Sequence, residues 1–310
     1  MTPVEIAAGV LGDRARRDVP LGPFTTYGVG GPAALFLEHC APDALPLARD
    51  AVVASGVPVL VVGRGSNLLV ADRGFCGLAL TLGEAFAEIH RDDGDTLVRA
   101  GGAVSFPVLA RRTAALGLRG LEWGVGVPGS VGGAVRMNAG GHGSDVAAVL
   151  TRAWLFDLAG HAAGGVEVTP ADLALGYRRS AVGPAQIVVA AEFALQVGDR
   201  TEAEAEVASV VRWRREHQPG GSNAGSVFAN PSGDSAGRLI EAAGLRGRRR
   251  GSAFVSPKHA NFFQVDEGGS ADDVRALMEE VRTVVEERFG ILLTLENRLI
   301  CFDPSPSIGC

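Results

Sequence analysis

The sequence predicts an α+β protein of two or three subdomains, on three observations. Its 310 residues exceed the usual size of one domain. Helical and strand-like patterns are mixed along the chain, with strands crowded between residues 83 and 208. Hydrophobic residues make up 46% and charged residues 21%, which allows a core of normal size.

The first region, 1–82, reads as a small α/β unit. In 43–54, Leu45, Ala48 and Val52 share one helical face, and Ser55-Gly56 breaks the pattern. The apolar run 57–62 reads as a buried strand, and 78–82 as another. In the second region, 83–208, strands are expected at 96–100, 151–158, 165–169 and 186–196. Ser105 caps a predicted helix over 106–116, with Pro107 in its first turn, where a missing N–H is no loss. Thr201 with Glu204 reads as a capping box opening a helix to about His217. The third region, 209–293, is α+β in character. It offers a short helix over 234–243, a strand over 260–265 and a long helix capped by Ser270 with Asp273. That helix carries Val274, Leu277, Met278, Val281, Val285 and Phe289 as one stripe, read as core, and Gly290 closes it. Residues 291–300 read as a last strand and 303–310 as a loose tail.

A net charge of −6 argues against nucleic acid or an anionic membrane as the main partner. Cys40, Cys76, Cys301 and Cys310 are scattered without metal-type spacing, as expected of reduced thiols and no metal site. The N-terminus has no apolar signal region and the longest apolar run is short, so a cytoplasmic chain is expected.

Glycine is the unusual count: 43 of 310 residues, roughly twice average usage. Glycine inside folded segments is costly unless a positive φ or a close backbone approach requires it. Two loops concentrate it. Gly63-Arg64-Gly65-Ser66-Asn67 follows a predicted buried strand and forms a nest of N–H groups suited to an anion, though alone it is as often a tight turn. It lacks the third glycine and the ribose acid about 20 residues on, so a simple Rossmann reading is disfavoured. The stretch Gly124-Val125-Gly126-Val127-Pro128-Gly129-Ser130-Val131-Gly132-Gly133-Ala134 holds five glycines and would turn consecutive amides toward a pyrophosphate. It runs on into Asn138-Ala139-Gly140-Gly141-His142-Gly143, another wall poor in side chains. Two such loops in one chain point to a dinucleotide.

With Leu68 and Leu69 after the first loop and Met137-Asn138-Ala139-Gly140 after the second, these segments resemble the FAD-binding segments of the UDP-N-acetylenolpyruvoylglucosamine reductase (MurB) family. The similarity continues through Gly176-Tyr177-Arg178-Arg179-Ser180 and Ala224-Gly225-Ser226-Val227-Phe228-Ala229-Asn230-Pro231. It ends with Val255-Ser256-Pro257-Lys258-His259-Ala260-Asn261-Phe262 and Glu296-Asn297-Arg298-Leu299-Ile300. Any one motif is weak; six in order are strong. The resemblance implies an FAD-binding part of the vanillyl-alcohol-oxidase type, in subdomains 1–82 and 83–208, and a substrate-binding domain at 209–293. Residues 294–310 would return to the FAD-binding part. It also implies NADPH as hydride donor, a UDP-sugar as substrate and peptidoglycan precursor synthesis as the role. The nicotinamide shares the substrate's site in this family, so no second dinucleotide motif is required.

The positions carried over are Gly63, Arg64, Gly65, Ser66, Asn67 and Leu68, with Val127, Pro128, Gly129, Ser130, Gly132, Gly133, Asn138, Gly140 and Gly143, for FAD. Ser226 matches the proton donor to C2 and Arg178 the catalytic arginine, whose guanidinium can grip a carboxylate through two hydrogen bonds. Glu296 matches an active-site glutamate; placed inside an apolar strand, it would need a partner such as Arg178 or Arg298. Tyr177, Asn230 and Arg298 match substrate-binding positions. Arg179 reads as a solvated neighbour of Arg178, since consecutive residues of an extended chain face opposite ways. Lys258 and His259 belong to a motif without an assignable chemistry, and Arg246, Arg248, Arg249 and Arg250 read as a solvated basic run.

With only Tyr27 and Tyr177 and little room for an insertion, the chain resembles the shorter form of the family, which lacks a tyrosine-bearing lid. Ala229 stands where lysine is frequent, and Asn297 interrupts a closing motif that usually reads E-V-R. These departures leave two other readings open. One is a flavin-dependent oxidoreductase of the same fold acting on another sugar nucleotide or a secondary metabolite; the other is a flavin-binding regulator without turnover.

Overall fold

The structure, a computed structural model, describes residues 1–160 and 164–302. The tail at 303–310, with Cys310, therefore lies outside the described residues. The chain divides into two compact units. The first comprises Met1–Arg17, Leu35–Arg64 and Gly77–Arg214; the second comprises Asp18–Ala34, Gly65–Cys76 and Arg215–Cys310.

The first unit opens with α1 (Pro3–Leu11), which the sequence reading did not anticipate. Thr2 and Glu5 form a reciprocal capping box there, with Pro3 at the first position. Helix α2 (Ala44–Ser55) falls where its apolar face predicts, and Gly56 stops it with φ 66°. Ala7 and Leu11 of α1 share a core with Leu45, Ala48 and Val52 of α2. The associated sheet runs Arg16–Pro20, Pro32–Cys40, Phe75–Leu82, Val59–Val61, with the last pair parallel. A second sheet, antiparallel throughout, runs Val166–Val168, Leu150–Asp157, Gln186–Ala194, Leu97–Gly101, Ile89–His90. Its central strand carries a buried Glu192, whose charge is met by two hydrogen bonds from Arg152, at 2.8 and 3.1 Å, and one from Thr151.

Three helices complete this unit's share. Helix α3 (Phe106–Ala115) starts after Ser105, but the Ser105 hydroxyl makes no capping bond. The helix start is instead tied to the glycine-rich loop, the Phe106 amide donating to the Gly129 carbonyl at 3.0 Å. Helix α4 (Val131–Arg136) sits inside that loop, and Ser130 Oγ caps it by accepting from the Gly133 amide at 3.2 Å. Helix α5 (Arg200–His217) begins two residues earlier than the capping box read from Thr201 and Glu204 would have it. Asp199 is the acceptor, taking the Glu202 amide at 2.9 Å, and Glu204 pairs with Arg200 instead. A carboxylate one residue ahead serves the helix N-terminus better than a threonine already inside it.

The second unit packs α6 (Ala236–Ala242) and α7 (Ala271–Phe289) with the antiparallel strands Arg249–Arg250, Ala253–Val255 and Phe263–Val265. Ser270 caps α7 as expected, accepting from the Asp273 amide at 3.2 Å, and Gly290 ends it with φ 68°. The Asp273 carboxylate turns to Ser252, leaving Asp72 to accept from the amides of Ala271 and Asp272 at 3.0 and 3.2 Å. Along the stripe, Val274, Leu277, Met278, Val281 and Val285 are fully buried, while Phe289 at the end is exposed. Two expected strands are shorter than read. The one at 260–265 is Phe263–Val265, and the one at 291–300 is Arg298–Ile300, parallel to Leu68–Val70. Residues before it are held by separate bonds, such as the Glu296 amide to the Val227 carbonyl at 2.8 Å.

Candidate active site

In the first unit, the two glycine-rich segments meet. A Cβ on Gly63 would stand 2.7 Å from Ser130 Oγ, so glycine at 63 is what lets them abut. The row of outward amides expected from the second segment is not what forms. The Val131 and Gly132 amides donate to the carbonyls of Val104 and Gly102 at 2.8 and 2.9 Å, and the Gly133 amide donates to Ser130. Their engagement follows from α4, whose first turn packs on the loop that follows the strand Leu97–Gly101. Close packing explains several of these glycines: a Cβ on Gly124 would meet the Phe106 ring at 2.8 Å, and one on Gly132 the Val188 carbonyl at 3.1 Å.

What this arrangement presents is a surface poor in side chains. Gly63, Arg64 and Pro128 are exposed and Val127, Gly132 and Gly133 half-buried, while Gly129 lies beneath. Gly141 and Gly143 have open space where a Cβ would stand, and Gly133 meets only Ser130 Oγ at 3.4 Å. Such a surface fits a long dinucleotide such as FAD, because its phosphates and ring can approach backbone without displacing side chains. The rest of the first segment falls in the second unit. Gly65 has φ +61° and its Cβ would meet the Phe24 carbonyl oxygen at 2.0 Å, so no other residue fits there. Ser66, Asn67 and Leu68 are half-buried beside it.

Arg178 is placed by a turn, not by an extended strand. Gly176 and Arg179 exchange backbone hydrogen bonds of 3.0 and 3.1 Å, and Tyr177 and Arg178 form the tip. Arg178 has φ 56°, in the left-handed region that a non-glycine residue seldom adopts. Its Nη2 donates to the Gly140 carbonyl at 2.9 Å, and its guanidinium stands 5.2 Å from the exposed Tyr177 ring. The alternation argument that set Arg179 apart from Arg178 therefore does not apply, since alternation belongs to extended chain. Asn138, buried and with φ 40°, holds the turn from behind. Its Nδ2 donates to the Gly176 carbonyl and to Asp145, both at 3.1 Å, while its Oδ1 accepts from the Ala147 amide. Asn138 thus shapes this loop from within the fold.

Ser226 and Glu296 lie in the second unit. Gly225, with φ 74°, turns the chain just before Ser226, which is half-buried and bridges to Phe262. The next residues are clamped by buried Asn261, whose carbonyl accepts from the Val227 amide at 2.9 Å. Its side chain accepts from the Phe228 amide and donates to the Phe228 carbonyl, at 3.0 and 2.8 Å. Glu296 precedes the last strand and is half-buried, so the cost of a carboxylate within an apolar strand does not arise. Burial lowers the Arg298 guanidinium below its ordinary value. Asn230 is exposed, and its Oδ1 accepts from the Ala236 amide at the start of α6.

The remaining motif residues have structural duties. Lys258 donates to the Arg215 carbonyl. Burial, first of all, lowers the His259 imidazole, whose Nδ1 faces the Asn261 amide at 3.2 Å. The basic run is matched by acids: Arg246 by Glu241, Arg248 and Arg250 by Glu280, and Arg249 by Asp266. Three residues to which sequence reasoning gave no role, Tyr27, Asn261 and Asn297, hold the Ser226 segment. For Asn261 the available signal was an asparagine set between Ala260 and Phe262, which must find partners once buried.

Residues 217–300 match the family model described as UDP-N-acetylenolpyruvoylglucosamine reductase, C-terminal domain, and residues 43–161 match an FAD binding domain. The UDP-N-acetylenolpyruvoylglucosamine reductase of Rubrobacter xylanophilus is 41% identical over 288 residues, covering 92% of this chain and 95% of the relative. That of Anaeromyxobacter dehalogenans is 43% identical, covering 96% and 88%. The crystal structure of UDP-N-acetylenolpyruvylglucosamine reductase (MurB) from Thermus caldophilus is 35% identical, with a TM-score of 0.79 over 93% of this chain and 99% of that one. With the expected α+β class, FAD-binding part and separate C-terminal domain all in place, the chain belongs to the UDP-N-acetylenolpyruvoylglucosamine reductase family.

Proposed function

We propose that the protein reduces the enolpyruvyl group of UDP-N-acetylenolpyruvoylglucosamine, giving UDP-N-acetylmuramate for peptidoglycan synthesis, with FAD bound and NADPH as hydride donor. The observation that carries this reading is the family match over nearly the whole chain. Arg178, Ser226 and Glu296, the residues that the motif resemblance carries over as catalytic, support it. The chemistry supplied by bound FAD is hydride relay from NADPH to C3 of the enolpyruvyl group. The backbone of Gly63, Arg64 and the segments 65–68, 127–133 and 138–143 would hold it.

Hydride at C3 leaves negative charge on C2 and the adjoining carboxylate, so the protein must hold that charge and provide one proton. Arg178, fixed at the tip of its turn, grips the carboxylate and spreads the charge. Ser226 gives its hydroxyl proton to C2, completing the addition of hydride and proton across the double bond. Glu296 is the third residue of the proposed site, and Tyr177, Asn230 and Arg298 bind the remainder of the UDP-sugar. Residues 1–82 and 83–208 act as the FAD-binding subdomains and 209–293 as the substrate-binding domain. Residues 294–310 are read as the segment that returns to the FAD-binding part; of its described residues, Arg298–Ile300 pair with Leu68–Val70, which supports that reading. We read the protein as cytoplasmic; no helix among the described residues is long and apolar enough to cross a membrane.

The test is to purify the protein with its flavin and follow NADPH oxidation after adding the UDP-sugar. A yellow protein without substrate-dependent turnover would sink the reading in favour of a different sugar nucleotide. Ser226→Ala should leave reduction by NADPH intact and slow reoxidation by the substrate by orders of magnitude; equal reoxidation rates would remove Ser226 from the mechanism.

A further inference from the structure

Between the end of α5 and Ser226 the chain carries Gly220, Gly221 and Gly225, and no helix or strand spans it. Gly221 and Gly225 both have φ 74°, so the backbone turns twice just ahead of Ser226. On its C-terminal side Ser226 is well fixed, since it bridges to Phe262 and the next amide, that of Val227, donates to the Asn261 carbonyl at 2.9 Å. On its N-terminal side a single side chain spans the loop. Asn223, half-buried, accepts at Oδ1 from the Gly225 amide at 3.1 Å, which makes an Asx turn. Its Nδ2 donates to the Gly221 carbonyl at 3.0 Å and to the Gly220 carbonyl at 3.3 Å, one hydrogen to each. The Gly220 carbonyl also accepts from Gln264 Nε2 at 2.8 Å. A Cβ on Gly221 would stand 3.3 Å from that same nitrogen.

These bonds form a brace that runs from a paired strand to the residue just before Ser226. Gln264 lies in Phe263–Val265, opposite Phe254, and sets the base of the loop on the sheet. Asn223 ties that base to the Gly225 amide. The carbonyl on the other edge of the same peptide, that of Ala224, accepts from Asn297 at 3.1 Å. A peptide plane bonded at both edges is held in orientation. Bonded at one edge only, it can pivot about that bond, and glycine at 225 offers no resistance of its own. A hydroxyl that must deliver a proton to one carbon has to be held to within a fraction of an ångström.

We infer that Asn223 is a positioning residue, whose Asx turn fixes the peptide between Ala224 and Gly225 and so aims the Ser226 hydroxyl for proton delivery. The inference rests on the reading of Ser226 as proton donor. It is tested with the FAD-loaded protein by stopped flow, following flavin reduction by NADPH and reoxidation by UDP-N-acetylenolpyruvoylglucosamine separately. Asn223→Ala should keep its bound flavin and its reduction rate, and reoxidise about 10- to 100-fold more slowly. The solvent deuterium isotope effect on reoxidation should grow, because proton delivery becomes the slower part of that step. Asn223→Ser should recover most of the rate, since a serine hydroxyl can accept the Gly225 amide in the same kind of turn. Made in a Ser226→Ala background, Asn223→Ala should slow reoxidation no further, because it acts through that hydroxyl.

Reoxidation of Asn223→Ala at the parent rate, with Ser226→Ala slow, would overturn the role of Asn223 alone. Loss of flavin, a solvent isotope effect that shrinks, or an equal loss of rate in Asn223→Ser would overturn it too. Further slowing in the Ser226→Ala background would do the same, by showing that the loop acts on the substrate and not through the hydroxyl. If Ser226→Ala reoxidises at the parent rate, it is the reading of Ser226 that falls, and the role of Asn223 with it.

Discussion

The contact between Gly63 and Ser130 predicts a particular kind of loss. Alanine at 63 would place its methyl carbon 2.7 Å from Ser130 Oγ, inside the 3.4–4 Å of ordinary contact. The backbone at Gly63 is outside the left-handed region, so alanine adds no strain of its own there. A serine hydroxyl can swing aside, unlike the carbonyl oxygen that a Cβ at Gly65 would strike at 2.0 Å. What the swing gives up is the bond from the Gly133 amide that caps α4. Losing a serine N-cap costs about 1 kcal/mol, within a range of about 0.5–2. Gly63→Ala should therefore cost about 1 kcal/mol, and Ser130→Ala about the same. The double variant should cost no more than either, since residue 130 then offers only a Cβ at 3.7 Å. Thermal unfolding reads this directly, because 1 kcal/mol corresponds to about 2–4 °C in a chain of this size. Flavin titration of the same variants reports whether the surface is disturbed. Losses that add, within about 0.5 kcal/mol, would refute the account, because independent sites add and coupled ones do not.

Two further expectations concern the second unit. The His259 imidazole is lowered below its ordinary 6.5 by burial. The folded state therefore binds fewer protons than the unfolded one on the acid side. Stability is full above about pH 6.5 and falls as pH drops from there toward the folded value. Melting temperatures measured from pH 7.5 to 5.5 should decline in the parent and less steeply in His259→Gln; parallel slopes would exclude His259 as the cause. At the start of α7, Asp72→Ala removes a carboxylate that accepts from Ala271, Asp272 and Ser270. A cap and a dipole contribution together make this about 1–2 kcal/mol, less in high salt. Asp72→Asn, which loses the charge but keeps one acceptor, should lose less, and equal losses in the two variants would rule out the cap hydrogen bond and leave only the charge.

Helices α2 and α7 were legible because a 3.6-residue stripe and a closing glycine are local signals, and Gly56 and Gly290 stop them as written. The region 291–300 was not. An apolar run looks the same whether it lies in a sheet or is tied down by Asn67 and by the Val227 carbonyl from elsewhere in the chain. Composition showed that the backbone near 124–143 is approached closely, but not by what. Gly132 turns out to press on Val188 and Gly102, and Gly124 on Phe106. Arg178 was found by motif, yet nothing in its neighbours announces a positive φ. Tyr27 and Asn297 meet across 270 residues, a separation over which no periodicity speaks.

The parallel pairing of Arg298–Ile300 with Leu68–Val70 has a consequence for synthesis. The second unit is assembled from Asp18–Ala34, Gly65–Cys76 and Arg215–Cys310, so its first pieces emerge long before its last. At about 5–20 residues per second, the segment near Leu68 waits on the order of ten to fifty seconds for its partner strand. Through that interval Leu69 and Val70, both buried in the finished protein, have an open strand edge and no core to join. The first unit holds most of its chain before residue 214 and can close early. The nascent protein thus passes through a stage with one half folded and the other half in waiting, and that stage is where a chaperone would meet it.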